Sequence, residues 1–161
     1  MIIDTQIVEP FNSPLETGLR SLAILEAAFP SRHDLQRLVE LDYLVVHSAD
    51  VGGPESLHVP LPLRAGELLV RRQLIEKGLL LMMSKGLIER HTVAAGIEYS
   101  ASDTASPYLA NLSASYTLRL RERAQWLVGN FEGFSTEELR DLVRRFFARW
   151  SSEFESMKNI G

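Results

Sequence analysis

The chain has no cysteine. That excludes a disulfide framework, a thiolate metal site and a Cys nucleophile. It lacks a long hydrophobic run as well: the longest, "GLLLMM" at 78–83, is far too short to cross a bilayer. The opening "MIIDTQIVEPFNSP" has neither the charged n-region nor the apolar core of a secretory signal. The expectation is therefore a cytoplasmic protein with no membrane partner. Also missing is the strong basic excess of a committed nucleic-acid binder, since the formal net charge is −4.

What is present is ordinary in amount and uneven in place. The 161 residues can bury one sizeable core without metal or disulfide support. Residues 1–63 carry three basic and nine acidic groups, whereas 64–90 carry six basic and three acidic. The second of these segments alone is basic.

Local signals divide the chain into helices and a hairpin. Ser13, Pro14 and Glu16 form a helix start ahead of "LETGLRSLAILEAAF", which Pro30 ends. Residues 1–12 read as extended and irregular. Asp34 is placed to cap "LQRLVELDYLVVHS", a helix apolar on most sides and hence central. A third helix begins near Gly66 and stops at Lys85–Gly86. "LIERHTVAAGIEYSA" reads as two short strands about an Ala-Ala-Gly turn. "SDTASPYLANL" reads as a short helix capped by Ser102 or Asp103 and interrupted near Pro107. Two longer helices follow. One carries Tyr116, Leu120, Ala124, Leu127, Val128 and Phe131 on one stripe. The other opens with a Ser135–Glu138 capping box and carries Leu139, Leu142, Val143, Phe146, Phe147, Trp150 and Phe154.

Three helices and then a hairpin are the skeleton of a winged helix. The expected fold class is thus α+β, mostly α: a winged-helix-like domain with a β-hairpin wing and two C-terminal helices. The division is a single domain, with 13–112 as its core and 113–156 as a helical extension.

The segment "HSADVGGPESLHVPLPLRAG" at 47–66 concentrates most of the candidate chemistry. His47, Asp50 and His58 have the ligand types of a Zn or non-haem Fe site. No H-x-x-x-H spacing fixes two imidazoles on one helix face, however, so a helix-end cap is the stronger reading of His47 and Asp50. "DVGGPE" resembles a phosphate cradle only superficially. Pro54 removes a donor directly after Gly53, and no Lys follows in the loop; a tight turn suits Gly52-Gly53-Pro54 better. His47, Ser48 and Asp50 are a poor catalytic triad, because helix neighbours point in different directions and there is no G-x-S-x-G elbow. Asp42, inside an apolar run, reads as a hydrogen-bonded core carboxylate holding the loop rather than as a perturbed active-site acid. No catalytic residue, cofactor or metal is assigned.

Two binding readings remain. In the first, Arg71, Arg72 and Lys77 on the third helix, with Arg90 and His91 on the wing, meet DNA phosphates. Against it stand the long connection from Ala49 to Ala65 and a third helix of mostly Leu and Met. In the second, the loop and the Arg- and aromatic-rich last helix (Arg140, Arg144, Arg145, Arg149) meet protein. Those aromatics could equally complete the chain's own core. The apolar helix pair also leaves a homodimer open.

A family resemblance favours protein. "FNSPLETGLRSLAILEAAFP", "LDYLVVHSADVGGPESLH", "PLRAGELLVRR" and "LRERAQWLVGNF" resemble the small middle component of bacterial ABC-three-component conflict systems, over about Phe11 to Phe154. The resemblance implies a winged-helix-like, non-enzymatic adaptor. Its expected partners are an SMC/Rad50-like ABC ATPase and an effector protein, in an antiviral or other anti-invader defence system. The loop residues it marks as partner-binding are His47, Asp50, Gly52, Gly53, His58 and Arg64, beside Asp42, Tyr43, Pro54, Pro62, Gly66, Glu67, Arg71 and Arg72. The alternative function is a winged-helix DNA-binding regulator.

Overall fold

In the computed structural model, residues 13–58 and 65–158 are described, with the backbone alone for 65–69, 147 and 149–158. Helix α1 spans Pro14–Ala27. The Ser13 side chain accepts a hydrogen bond from the backbone N–H of Glu16 at 3.3 Å, and Pro14 takes a position that needs no N–H. A two-residue strand, β1 (His33–Asp34), precedes α2 (Leu35–Val46). Asp34 caps α2 by accepting from Arg37 N–H at 2.8 Å. A turn of 3-10 helix, Ser48–Val51, starts the loop that leads to α3 (Ala65–Ser84). The hairpin β2 (Ile88–Val93) and β3 (Gly96–Ala101) turns through Ala94 and Ala95. Helices α4 (Ala105–Ala110), α5 (Ser115–Phe131) and α6 (Thr136–Lys158) complete the order.

The architecture is mostly helical with one small antiparallel sheet, as the local signals predict. Strand order is β1-β3-β2, so the segment between the first two helices joins the hairpin. His33 pairs with Tyr99 and Asp34 with Glu98, while β2 and β3 pair from Ile88–Ala101 to Val93–Gly96. The strand β1 is a feature that the sequence does not announce, since two residues carry no periodicity.

Two other boundaries differ from expectation. Neither Ser102 nor Asp103 caps α4. The Ser102 hydroxyl instead donates to the Gly86 carbonyl at 2.7 Å, and Thr104 donates to the same oxygen at 3.0 Å, tying the exit of the sheet to the end of α3. Pro107 does not interrupt the helix, because it lies in the first turn, where a missing N–H removes no intrahelical bond. The capping box of α6 forms as predicted: Glu138 N–H donates to Ser135 Oγ at 3.1 Å, and Ser135 N–H donates to Glu138 Oε1 at 3.2 Å.

The core is one apolar cluster running from Leu22 to Val143. Residues Leu38–Val46 of α2 are all buried, which makes it the central helix. Leu120, Ala124 and Leu127 of α5 and Leu139 and Val143 of α6 are buried in the same cluster. The stripe positions Phe147, Trp150 and Phe154 lie outside the described side chains, and residues 1–12 lie outside the described chain. The axes of α1 and α3 approach closely at Gly18 and Gly78. A Cβ on Gly78 would lie 2.6 Å from the Gly18 nitrogen, and one on Gly18 would lie 2.8 Å from the Gly78 oxygen.

Candidate functional site

A carboxylate within the most buried helix needs cations, and two helices supply them. The Asp42 side chain has no solvent exposure. Arg20 of α1 donates from Nε to Oδ1 at 2.8 Å, and Arg71 of α3 donates to Oδ2 at 2.9 Å. Burial alone would raise the Asp42 pKa. The charges and hydrogen bonds of Arg20 and Arg71 outweigh that and hold it below the usual carboxylate range. The pair thus fastens α1, α2 and α3 at one point. The Arg71 guanidinium also lies over the Tyr43 ring, 5.3 Å from its centroid.

Aromatic and imidazole rings continue from this cluster into the loop. The Tyr43 and His47 centroids are 4.6 Å apart, and those of His47 and His58 are 6.3 Å apart. His58 Nε2 and the Tyr116 hydroxyl of α5 are hydrogen-bonded at 2.9 Å. Burial, then the charge of Arg71, lowers the His47 pKa to about 3. Burial, then the charge of Arg20, lowers that of His58 to about 4. Both imidazoles are therefore neutral at physiological pH. Burial and the charge of Asp50 push the Tyr43 phenol upward.

The loop is folded onto α5. Ser48 Oγ donates to the Pro54 carbonyl at 2.9 Å, Ser56 Oγ accepts from Ala49 N–H at 3.1 Å, and His58 N–H returns to the Val46 carbonyl at 3.0 Å. Gly52 ends the 3-10 turn with φ near +80°, a conformation glycine adopts without penalty. Gly53 serves a different purpose: a Cβ there would lie 2.4 Å from the Trp126 indole. Arg123 Nε donates to the Glu55 carbonyl at 2.9 Å. Tyr116, Arg123 and Trp126 thus hold successive parts of the loop against one helix.

The structure brings His47, Asp42 and Arg71 together and sets His58 beside them. Asp50 lies at the half-buried start of the loop, and Arg64 lies outside the described residues. Arg72 is exposed on α3, donating to Gln36 Oε1 at 3.1 Å and facing Glu76 at 3.7 Å. Lys77 and Arg90 are exposed; His91 is half-buried and bonded to Ser100 Oγ at 2.7 Å. These residues of α3 and the hairpin do not join the buried cluster. Among the described residues, no three His, Asp or Glu side chains come together as a cation site.

Sequence reasoning missed Arg20, Tyr116, Arg123 and Trp126. Arg20 left a signal: a charged residue in an apolar helix, matching a lone carboxylate in the next one. Tyr116 falls only on an apolar stripe, and Arg123 and Trp126 lie in "LRERAQWLVGNF", a stretch that carries the family resemblance without marking either as a holder of the loop.

With this geometry in place, comparison with known families is informative. The family described as ABC-three component (ABC-3C) system Middle Component 2 matches residues 10–153. The chain belongs to that family. No curated protein and no solved structure matches it. The matched span of this middle component takes in the Arg20–Asp42–Arg71 cluster, the loop and α5. Among the described residues, no helix is long and apolar enough to cross a membrane.

Proposed function

We propose that this middle component is a non-enzymatic, cytoplasmic adaptor. It couples an SMC/Rad50-like ABC ATPase to an effector protein in a bacterial anti-invader system. Its frame is a single winged-helix-like domain extended by α5 and α6. The helix–strand–helix–helix–hairpin order and the β1-β3-β2 sheet support that frame.

The observation that carries the adaptor reading is how the chemistry-bearing side chains are used. Asp42, Arg20, Arg71 and His58 engage one another or α5, which is a positioning role rather than a substrate-facing one. In this reading His47, Asp50, Gly52, Gly53 and His58 shape the partner-binding loop, and Arg64, outside the described residues, is assigned to partner binding with them. The same geometry weighs against the DNA regulator, because Arg71 is turned into the core and Arg72 is engaged with Gln36 and Glu76.

The test is co-expression with the ABC ATPase encoded beside it. A complex should survive size-exclusion chromatography at physiological salt. A chain that elutes alone, yet shifts labelled duplex DNA at that salt with a steep salt dependence, would make it a regulator instead.

A further inference from the structure

Between Gly53 and His58 the main chain forms neither helix nor strand. Such a segment keeps a single shape only where groups outside it hold it. Three side chains of α5 do so, spaced at i, i+7 and i+10 along one helix. Tyr116 bonds His58 at one end of the segment, Arg123 bonds the Glu55 carbonyl in its middle, and Trp126 lies against Gly53 at the other end. The helix that carries them is itself fixed, since Leu120, Ala124 and Leu127 belong to the core.

Two of the three act on the main chain rather than on a loop side chain. Arg123, whose side chain is 8% exposed, donates from Nε to the Glu55 carbonyl at 2.9 Å, and its Nη1 lies 3.3 Å from the exposed Glu122 carboxylate. A charge-assisted bond to a carbonyl fixes the course of the chain whatever side chains the loop carries. A Cβ on Gly53 would lie within 2.7 Å of Cη2, Cζ2 and Cζ3 of Trp126, the outer ring of the indole. The backbone thus comes closer to that ring than any other residue type allows. Among residues 48–58, Ala49, Gly52 and Glu55 are exposed, whereas Arg123 behind them is buried and Trp126 half-buried.

We propose that Arg123 and Trp126 are positioning residues for partner binding, holding residues 48–58 in the one shape that the system's ABC ATPase binds. This rests on the adaptor reading above and adds how its loop is kept ready. A loop held closed presents its binding surface in every free molecule. A loop that opens lowers the apparent affinity by the fraction of molecules in which it is closed. Because the bound complex contains only closed loops, that loss falls on association and leaves dissociation unchanged.

The probe is the purified ABC ATPase of the same locus, with association and dissociation rates measured on the full chain. Gly53→Ala and Arg123→Ala should each slow association about fivefold or more, with dissociation unchanged. In both, the His58 amide, bonded to the Val46 carbonyl at 3.0 Å, should lose its protection from hydrogen exchange, while that of the buried Leu44 keeps it. Phenylalanine lacks the outer ring of the indole, so adding Trp126→Phe to Gly53→Ala should restore both association and protection. If Arg123→Ala fails to fold, Gly53→Ala and its rescue decide. Faster dissociation with unchanged association would make these residues direct contacts and overturn the proposal. An opened loop with wild-type association, a loop that stays protected, or a failed rescue overturns it too and leaves the adaptor reading intact. A wild-type chain that binds no ATPase ends both.

Discussion

Two guanidinium groups share the carboxylate of Asp42, and the resulting excess of positive charge bears on the imidazoles beside it. A histidine in an unfolded chain titrates near 6.5. In the fold His47 is lowered to about 3 and His58 to about 4; His33, buried beside Arg37, is lowered too. Between pH 6.5 and 4 the unfolded chain therefore binds protons that the folded chain refuses. Stability is complete above that window and declines as the pH falls through it. Asp42 acts lower down: its depressed folded pKa contributes stability above 3.8, and that contribution is lost on further acidification. Urea midpoints should hold from pH 7.5 to about 6.5 and fall from there to pH 4.5, and His58→Gln should flatten the decline. A midpoint constant across that range would contradict this account. The need for a partner at Asp42 was legible in the sequence, but which cations answer it was not, because Arg20 and Arg71 are 22 and 29 residues away.

At the scale of elements, the helices were readable because their ends carry chemistry of their own. Ser13, Asp34 and Ser135 each accept the backbone hydrogen bond that their position predicts. The crossing of α1 and α3 was not readable, since a glycine inside a helix looks like a simple propensity defect. Its use appears only when the two backbones meet at Gly18 and Gly78. Gly78→Ala should gain about 1 kcal/mol of helix propensity. It should lose more by forcing a methyl onto the backbone nitrogen and Cα of Gly18, which cannot yield as a flexible side chain can. Overpacking of this kind costs about 1–3 kcal/mol, so the net effect is destabilising. Chemical denaturation would check it, with Gly129→Ala as the control: that glycine of α5 has open space around its Cβ position and should gain stability. A stabilised Gly78→Ala would show that the two helices can separate without loss.

Over the whole molecule, the sequence separates a core at 13–112 from a helical extension, yet the packing crosses that line at several places. Leu120, Ala124, Leu127, Leu139 and Val143 belong to the same apolar cluster as Leu22, Leu38 and Ile75. Polar ties cross it too. Arg37 of α2 donates to the carbonyls of Phe131, Glu132 and Phe134 at the end of α5, and the loop is fastened to Tyr116, Arg123 and Trp126. Removing α5 and α6 would open the faces of α1 and α2 to water and strip the loop of its support. A chain ending at residue 112 should therefore lose cooperative folding, showing a broad, low-enthalpy thermal transition and binding a hydrophobic dye. The full chain should melt in one step, with equal calorimetric and van't Hoff enthalpies. Should the shortened chain melt sharply on its own, α5 and α6 would be an appendage to an independent unit.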